Sequence, residues 1–226
     1  MQLTEQQKRI IEQVVNVFET GRVTGDYGAI ARFADGPHGV RQVTYGRSQT
    51  TEYGKLDDLI DRYVKSGGLV SAQLGPFVSK IGVTPLVDDD TFLDLLRKAG
   101  RDPVMQKVQD KFFDARYFQP GMDWATANRF DLPLSALVIY DSFIHSGSIP
   151  GFLRKRFPTR VPVNGGAEKD WVRDYVAARD AWLRNHSNSL LRKTVYRTEC
   201  FKSEIDRNNW DLAQLPIKAH GIAVAG

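Results

Sequence analysis

Cysteine is almost absent from this chain: Cys200 is the single one in 226 residues. One thiol closes no intramolecular disulfide and builds no metal site of several cysteines, so packing has to hold the fold. The thiol itself is expected packed beside a helix rather than in redox service. No apolar run approaches the roughly 20 residues that span a bilayer, so no membrane insertion is expected. The four histidines, His38, His145, His186 and His220, lack paired ligand spacing, and no metal site follows from them. Missing too are a glycine-rich phosphate loop after a strand, a Gly-x-Ser-x-Gly elbow and any nucleic-acid-binding signature. The chain reads as a protein without metal, cofactor or nucleic-acid partner.

What is present is ordinary for a globular protein, with 42% hydrophobic and 26% charged residues. The length suits one large domain or two tightly joined lobes. Lys and Arg number 31 against 27 Asp and Glu, a formal charge of +4, and the cations are spread along helices rather than clustered. That balance permits an anionic partner without demanding one. The opening stretch MQLTEQQKR is polar at once and lacks the apolar core of a secretory signal. Action inside a cell, prior removal of a leader, or export by another route would each leave this pattern.

Thr4 with Gln7 three residues later forms a capping-box signature, and Ile10, Ile11, Val14, Val15, Val17 and Phe18 follow at near-helical spacing. The helix should end at Glu19-Thr20, since Gly21 suits the left-handed residue after a helix. Residues 27–33 and 40–45 have strand character, with the turn chemistry of Asp35-Gly36-Pro37-His38-Gly39 between them. A β-hairpin is predicted there, and no other substantial one. Leu56, Leu59, Ile60, Tyr63 and Val64 line a second helix. Further helices are expected near 69–81, 88–99, 103–117, 122–129, 132–146, 166–185 and 188–205. Asp88-Asp89-Asp90 reads as a helix start rather than a calcium cluster. Residues 132–144 are apolar nearly all round, which marks a buried central helix. Residues 150–166, rich in Pro and Gly, read as a long loop between lobes, and 215–226 as an irregular tail. The class is α+β, mainly α. The tryptophans, Trp124, Trp171, Trp182 and Trp210, are expected in the core.

The informative chemistry lies between residues 19 and 51. Glu19 closes a buried helix, while Asp26 and Asp35 sit on or beside the hairpin. A carboxyl at a rigid helix end facing a hairpin carboxylate across a groove suits glycoside hydrolysis. One group protonates the leaving oxygen and the other activates water from the opposite face, about 6.5–9.5 Å away in inverting enzymes. Burial beside Phe18 and the negative end of the helix both favour a protonated Glu19, as a general acid requires. Asp26, nearer in sequence, is the alternative base to Asp35.

This stretch resembles the family 46 chitosanases of the lysozyme superfamily. In that family a catalytic Glu follows an apolar helix, and a Tyr precedes the catalytic Asp-Gly by seven residues. Here Tyr27, seven residues and Asp35-Gly36 follow Glu19, and Val43-Thr44-Tyr45-Gly46 is similar to the family's next strand. The match covers about residues 10–60. The resemblance implies a lysozyme-like, two-lobed fold in one catalytic domain, 1–226. Its minor lobe, with the hairpin, would span about 20–65, and its major helical lobe the first helix and about 69–214. It implies Glu19 as general acid, Asp35 as general base and Thr44 as the group holding the attacking water. The loop here is longer than the family's, so Thr50 or Thr51 could take that last role. Glu19 is followed by Thr20-Gly21-Arg22 rather than the family's usual polar pair, which marks a divergent member. Asp26, Tyr27, Tyr45, Arg47, Gln49, Thr50 and Asp57 are candidates to contact substrate. Gly46-Arg47-Ser48-Gln49 resembles the cleft-lining Gly-x-x-Gln turn of goose-type lysozymes and lytic transglycosylases. The family also supports its Glu with a buried Arg–Asp network. Asp141, Arg179 and Arg197 could supply one here, or Asp141 could form an ordinary buried ion pair.

The expected function is endo-hydrolysis of a β-1,4-linked amino-sugar polysaccharide by a monomer. Chitosan is favoured over the glycan strands of peptidoglycan, which a phage lysin or a delivered antibacterial toxin would cleave. A polycation such as chitosan would need a local acidic cleft despite the basic balance. Action outside the cell or in the periplasm is expected. A saccharide-binding module that has lost catalysis is the third reading, against which Glu19 and Asp35 together argue.

Overall fold

The structure, a computed structural model, describes residues 1–47 and 49–226. In chain order the elements are α1 (Glu5–Thr20), β1 (Ile30–Phe33), β2 (Gln42–Tyr45), β3 (Thr50–Thr51), α2 (Leu56–Lys65), α3 (Ser71–Leu74), α4 (Asp90–Gly100) and α5 (Pro103–Phe113). Then follow α6 (Gln119–Ala127), α7 (Pro133–Ser146), α8 (Gly151–Arg154), α9 (Glu168–Arg184), α10 (Ser189–Arg192), α11 (Tyr196–Asp206), β4 (Ile217–Ala219) and β5 (Ile222–Val224). The protein is mainly helical with small antiparallel sheets, as its patterning predicts.

Two compact units form. The first joins Met1–Val23 to Ala115–Gly226. Its core is built on α7, whose residues Pro133 to Phe143 are all buried, packed against α1, α6, α9 and α11. α1 opens with the full Thr4–Gln7 capping box and stops at Gly21, whose φ of 68° ends the helix. Its apolar stripe fixes the rotation of α1, and Glu19 sits one turn beyond Val15 at the helix end. Cys200 is buried in this core, where burial pushes its thiol well up, so the packed rather than the redox reading holds. Trp171 and Trp210 are buried and Trp124 and Trp182 partly so.

The second unit is Thr24–Asp114. β1 and β2 pair antiparallel from Ile30↔Tyr45 to Phe33↔Gln42, and β3 adds through Thr44↔Thr51. Leu56, Leu59, Ile60 and Tyr63 of α2 are buried, and α2 packs on α5 and α3. Asp89 caps α4 by accepting from the Phe92 N–H, while Asp88 pairs with Arg32 and Arg41, so the acidic run is a helix start.

Several boundaries differ from expectation. Residues 69–114, assigned from sequence to the major lobe, group with the hairpin, because α2, α3, α4 and α5 pack on one another. Residues 69–81 form only α3 and a 3-10 turn at Gly75–Phe77, where Pro76 removes a helical N–H. The stretch 188–205 breaks at a 3-10 turn, Lys193–Val195. The loop 150–166 lies inside the first unit rather than between units. The expected irregular tail carries a second hairpin, β4 with β5, turned at Gly221, where φ is 81°. Ile217, Ala219 and Val224 of that hairpin fill the core beside α1.

Candidate active site

In the first unit, Glu19 ends α1 with its side chain 10% exposed. Arg197 of α11 donates from Nη2 to Glu19 Oε1 at 2.5 Å and from Nη1 to Asp141 Oδ1 at 2.6 Å. Arg179 of α9 brings Nη1 to 2.7 Å from Asp141 Oδ2. That contact pairs charge but lacks hydrogen-bond alignment, since among the described residues Asp141 Oδ2 and the Arg179 nitrogens have no aligned partner. Asp141, Arg179 and Arg197 thus converge behind Glu19, one carboxylate of a buried, mainly apolar helix held between two guanidinium groups. Arg197 also lies over the rings of Phe18 and Tyr196, while the Tyr196 hydroxyl donates to the Phe18 carbonyl.

The electrostatics follow from burial. Removal from water raises the Glu19 carboxyl above its usual range, more than the Arg197 cation lowers it, and Asp141 adds to the rise. For Asp141, burial alone would raise the carboxyl, but the cations Arg197 and then Arg179 outweigh it and hold it low. His145, one turn after Asp141, is pushed down to about 3 by burial and by the two arginines, so it is neutral near pH 7. One carboxyl stays ready to carry a proton and the other stays charged. The division of roles comes from surroundings, since both are ordinary carboxylic acids. Among the described residues no hydrogen bond occupies Glu19 Oε2.

In the second unit, Asp35 is exposed in the turn between β1 and β2 and accepts at Oδ1 from Gln42 Nε2, 2.9 Å away. Asp26 is half-buried and its Oδ1 accepts from the Gly28 N–H, which makes it a turn former. Tyr27 donates its hydroxyl to Asp110, and Arg47, buried, pairs with the same carboxylate at 3.2 Å. Gln49 adopts φ of 52° and closes the turn through its own amide to the Gly46 carbonyl. Ser48, within that turn motif, lies outside the described residues. Asp57 is exposed in the first turn of α2.

Three expectations need correction. Tyr45 has no exposed surface and donates its hydroxyl to the Leu96 carbonyl, so it packs the unit and meets no sugar. Thr44 is buried in the middle strand, with its hydroxyl shut off from solvent and, among the described residues, without a partner, so the structure places it inside the unit rather than at the surface. Thr50 is sealed in the same way. All four residues of β2 are buried, because the strand is covered on both faces.

Sequence reasoning missed the polar residues that support this unit. Gln109 is fully buried, accepts from the Arg47 N–H and donates to the Tyr27 carbonyl, so it ties both strand ends to α5. Gly46, at φ of 81°, makes room for it; a Cβ there would come within 2.5 Å of Gln109 Oε1. Glu52, also buried, accepts from the N–H groups of Val43 and Leu86. The signal for Gln109 was its place at helical spacing among the apolar residues Met105, Phe112 and Phe113. Glu52 carried no such signal. No cluster of metal-ligating side chains occurs among the described residues.

Comparison with known proteins identifies the family. The profile of glycosyl hydrolase family 46 matches residues 13–217. The chitosanase of Bacillus subtilis (strain 168) is 27% identical over 229 aligned residues, 93% of this chain and 80% of that protein. The solved family 46 chitosanase of Gynuella sunshinyii, in complex with chitotetraose, superposes with a TM-score of 0.85 at 22% identity, over 99% of this chain and 98% of that one. A mutant chitosanase of Bacillus subtilis MY002, complexed with 6 GlcN, gives 0.85 at 23% identity, over 99% and 100%. At these identities the superpositions show a shared fold.

Proposed function

This chain belongs to glycosyl hydrolase family 46 and is a glycoside hydrolase; from that premise we propose that it cleaves chitosan within the polymer, with inversion at the anomeric carbon. Glu19 is the general acid. It donates a proton from its unpaired oxygen to the glycosidic oxygen while Arg197 holds the other oxygen. Asp35 is the general base and takes a proton from the water that attacks the opposite face of the sugar. No covalent intermediate forms. The products are a shortened chain with a free reducing end and a leaving chain with a restored hydroxyl. Thr44 and Tyr45 stay outside the reaction.

The observation that carries the reading is the environment of Glu19: a buried carboxyl, raised in pKa by that burial, yet among the described residues hydrogen-bonded at one oxygen only. A general acid needs both properties. The substrate class rests on the relatives, one called chitosanase and two solved with chitotetraose or 6 GlcN. The hydrolysis test uses purified protein on chitosan, with viscosity and reducing ends followed together. Early loss of viscosity with few new ends is expected of internal cleavage. Glu19→Gln should lower turnover by about 10³-fold without changing the melting temperature by more than a few degrees. Clearing of bacterial cell walls with no action on chitosan would overturn the substrate, and a fully active Glu19→Gln the acid.

A further inference from the structure

Gln42 begins β2, is buried at 4% exposure, and lies under the turn that carries Asp35. Its amide is used at both ends. Oε1 accepts from the Tyr53 N–H at 3.2 Å, and Nε2 donates to Asp35 Oδ1 at 2.9 Å. The first contact determines the second. A backbone N–H can only donate, so it must meet the amide oxygen, which turns the NH₂ toward the carboxylate. The turn is built to sit close on this amide. Gly36 donates its N–H to the Val40 carbonyl, and a Cβ at Gly36 would come within 2.8 Å of that oxygen, 3.2 Å of the Tyr53 ring and 3.5 Å of Gln42 Cδ.

An exposed Asp on a turn ordinarily samples several rotamers. A base that must take a proton along one line gains from being held in one of them. We propose that Gln42 is the positioning residue of the Asp35 base: oriented by the Tyr53 N–H, it occupies Asp35 Oδ1 and leaves Oδ2 as the oxygen that activates water. The inference rests on the proposed role of Asp35. Gln42 touches neither sugar nor water in this scheme and acts only through the carboxylate.

The test compares Gln42→Met, similar in length but without either hydrogen bond, with Gln42→Glu, which keeps an acceptor for Tyr53 but offers Asp35 no neutral donor. Steady-state kinetics use a glucosamine hexamer. Both variants should lose about tenfold in kcat while KM stays within twofold, since Gln42 makes no contact with substrate. A double variant decides between positioning and general destabilisation. In an Asp35→Asn background, Gln42→Met should not lower the residual rate further, whereas a merely structural role would lower it again. If Gln42→Met fails to fold, Gln42→Glu alone decides by the same measures. Folded variants with wild-type kcat, or additive losses in the double variant, overturn the positioning role while Asp35→Asn alone keeps only its low residual rate. A fully active Asp35→Asn overturns the base assignment itself, an outcome distinct from failure of the positioning role.

Discussion

Arg197 Nη2 lies 2.5 Å from Glu19 Oε1, and the other end of the same guanidinium is committed to Asp141. The planar fork of arginine therefore ties Glu19, in the last turn of α1, to the central helix, with the Arg197 side chain 4% exposed. A lysine could offer one point of charge but not two divergent donors in a plane.

Arg197→Met is predicted to leave two carboxylates facing a neutral side chain. Removing one partner of a buried network costs about 3–5 kcal/mol, read from urea unfolding. Because the Arg197 cation lowers the Glu19 carboxyl, its loss should raise that group further, moving the alkaline limb of kcat/KM to higher pH in any variant that still folds. Unchanged stability and an unchanged limb would show that the contact carries little.

His145 supplies a pH signature of the same network. Its folded value of about 3 lies below the 6.5 of a free imidazole, so between those limits the unfolded chain binds the extra proton. Stability is full above pH 6.5 and falls as pH drops through this window, by up to about 1.4 kcal/mol per unit. Asp141, held low, adds its own loss only below its ordinary 3.8. Urea unfolding at pH 7 and pH 5 spans this window, in which the raised Glu19 carboxyl acts in the opposite sense, and removal of the imidazole separates the two. His145→Gln should lose clearly less stability between the two than the wild type; equal losses would assign the slope elsewhere.

Gln109→Leu should destabilise by about 2–4 kcal/mol, because it removes the acceptor of the buried Arg47 N–H and the donor to the Tyr27 carbonyl. Thermal melting and urea titration check this. A near-neutral result would mean that water replaces both bonds.

The helices and the first hairpin were legible because their signals are local. The Thr4–Gln7 box, the stripe on α1 and the Asp35-Gly36 turn each act within a few residues of themselves. The Asp141–Arg197–Arg179 convergence was legible from chemistry alone: a charge on a helix as apolar as α7 has to be paired. Burial of Tyr45 and Thr44 was not, since alternation within β2 gives no sign that both its faces are covered. Gln42 and Glu52 escaped because each serves partners 7 to 34 residues away, in loops whose path no local pattern reveals. The C-terminal hairpin escaped because its strands are three residues each, too short for a period of two to register.

Inversion by Glu19 and Asp35 is tested most directly by the anomer released first. Proton NMR within minutes of adding enzyme to a β-1,4-linked glucosamine oligomer, before mutarotation, should show the α-anomer at the new reducing end. The β-anomer in excess at early times would mean net retention and would contradict a water-activating Asp35.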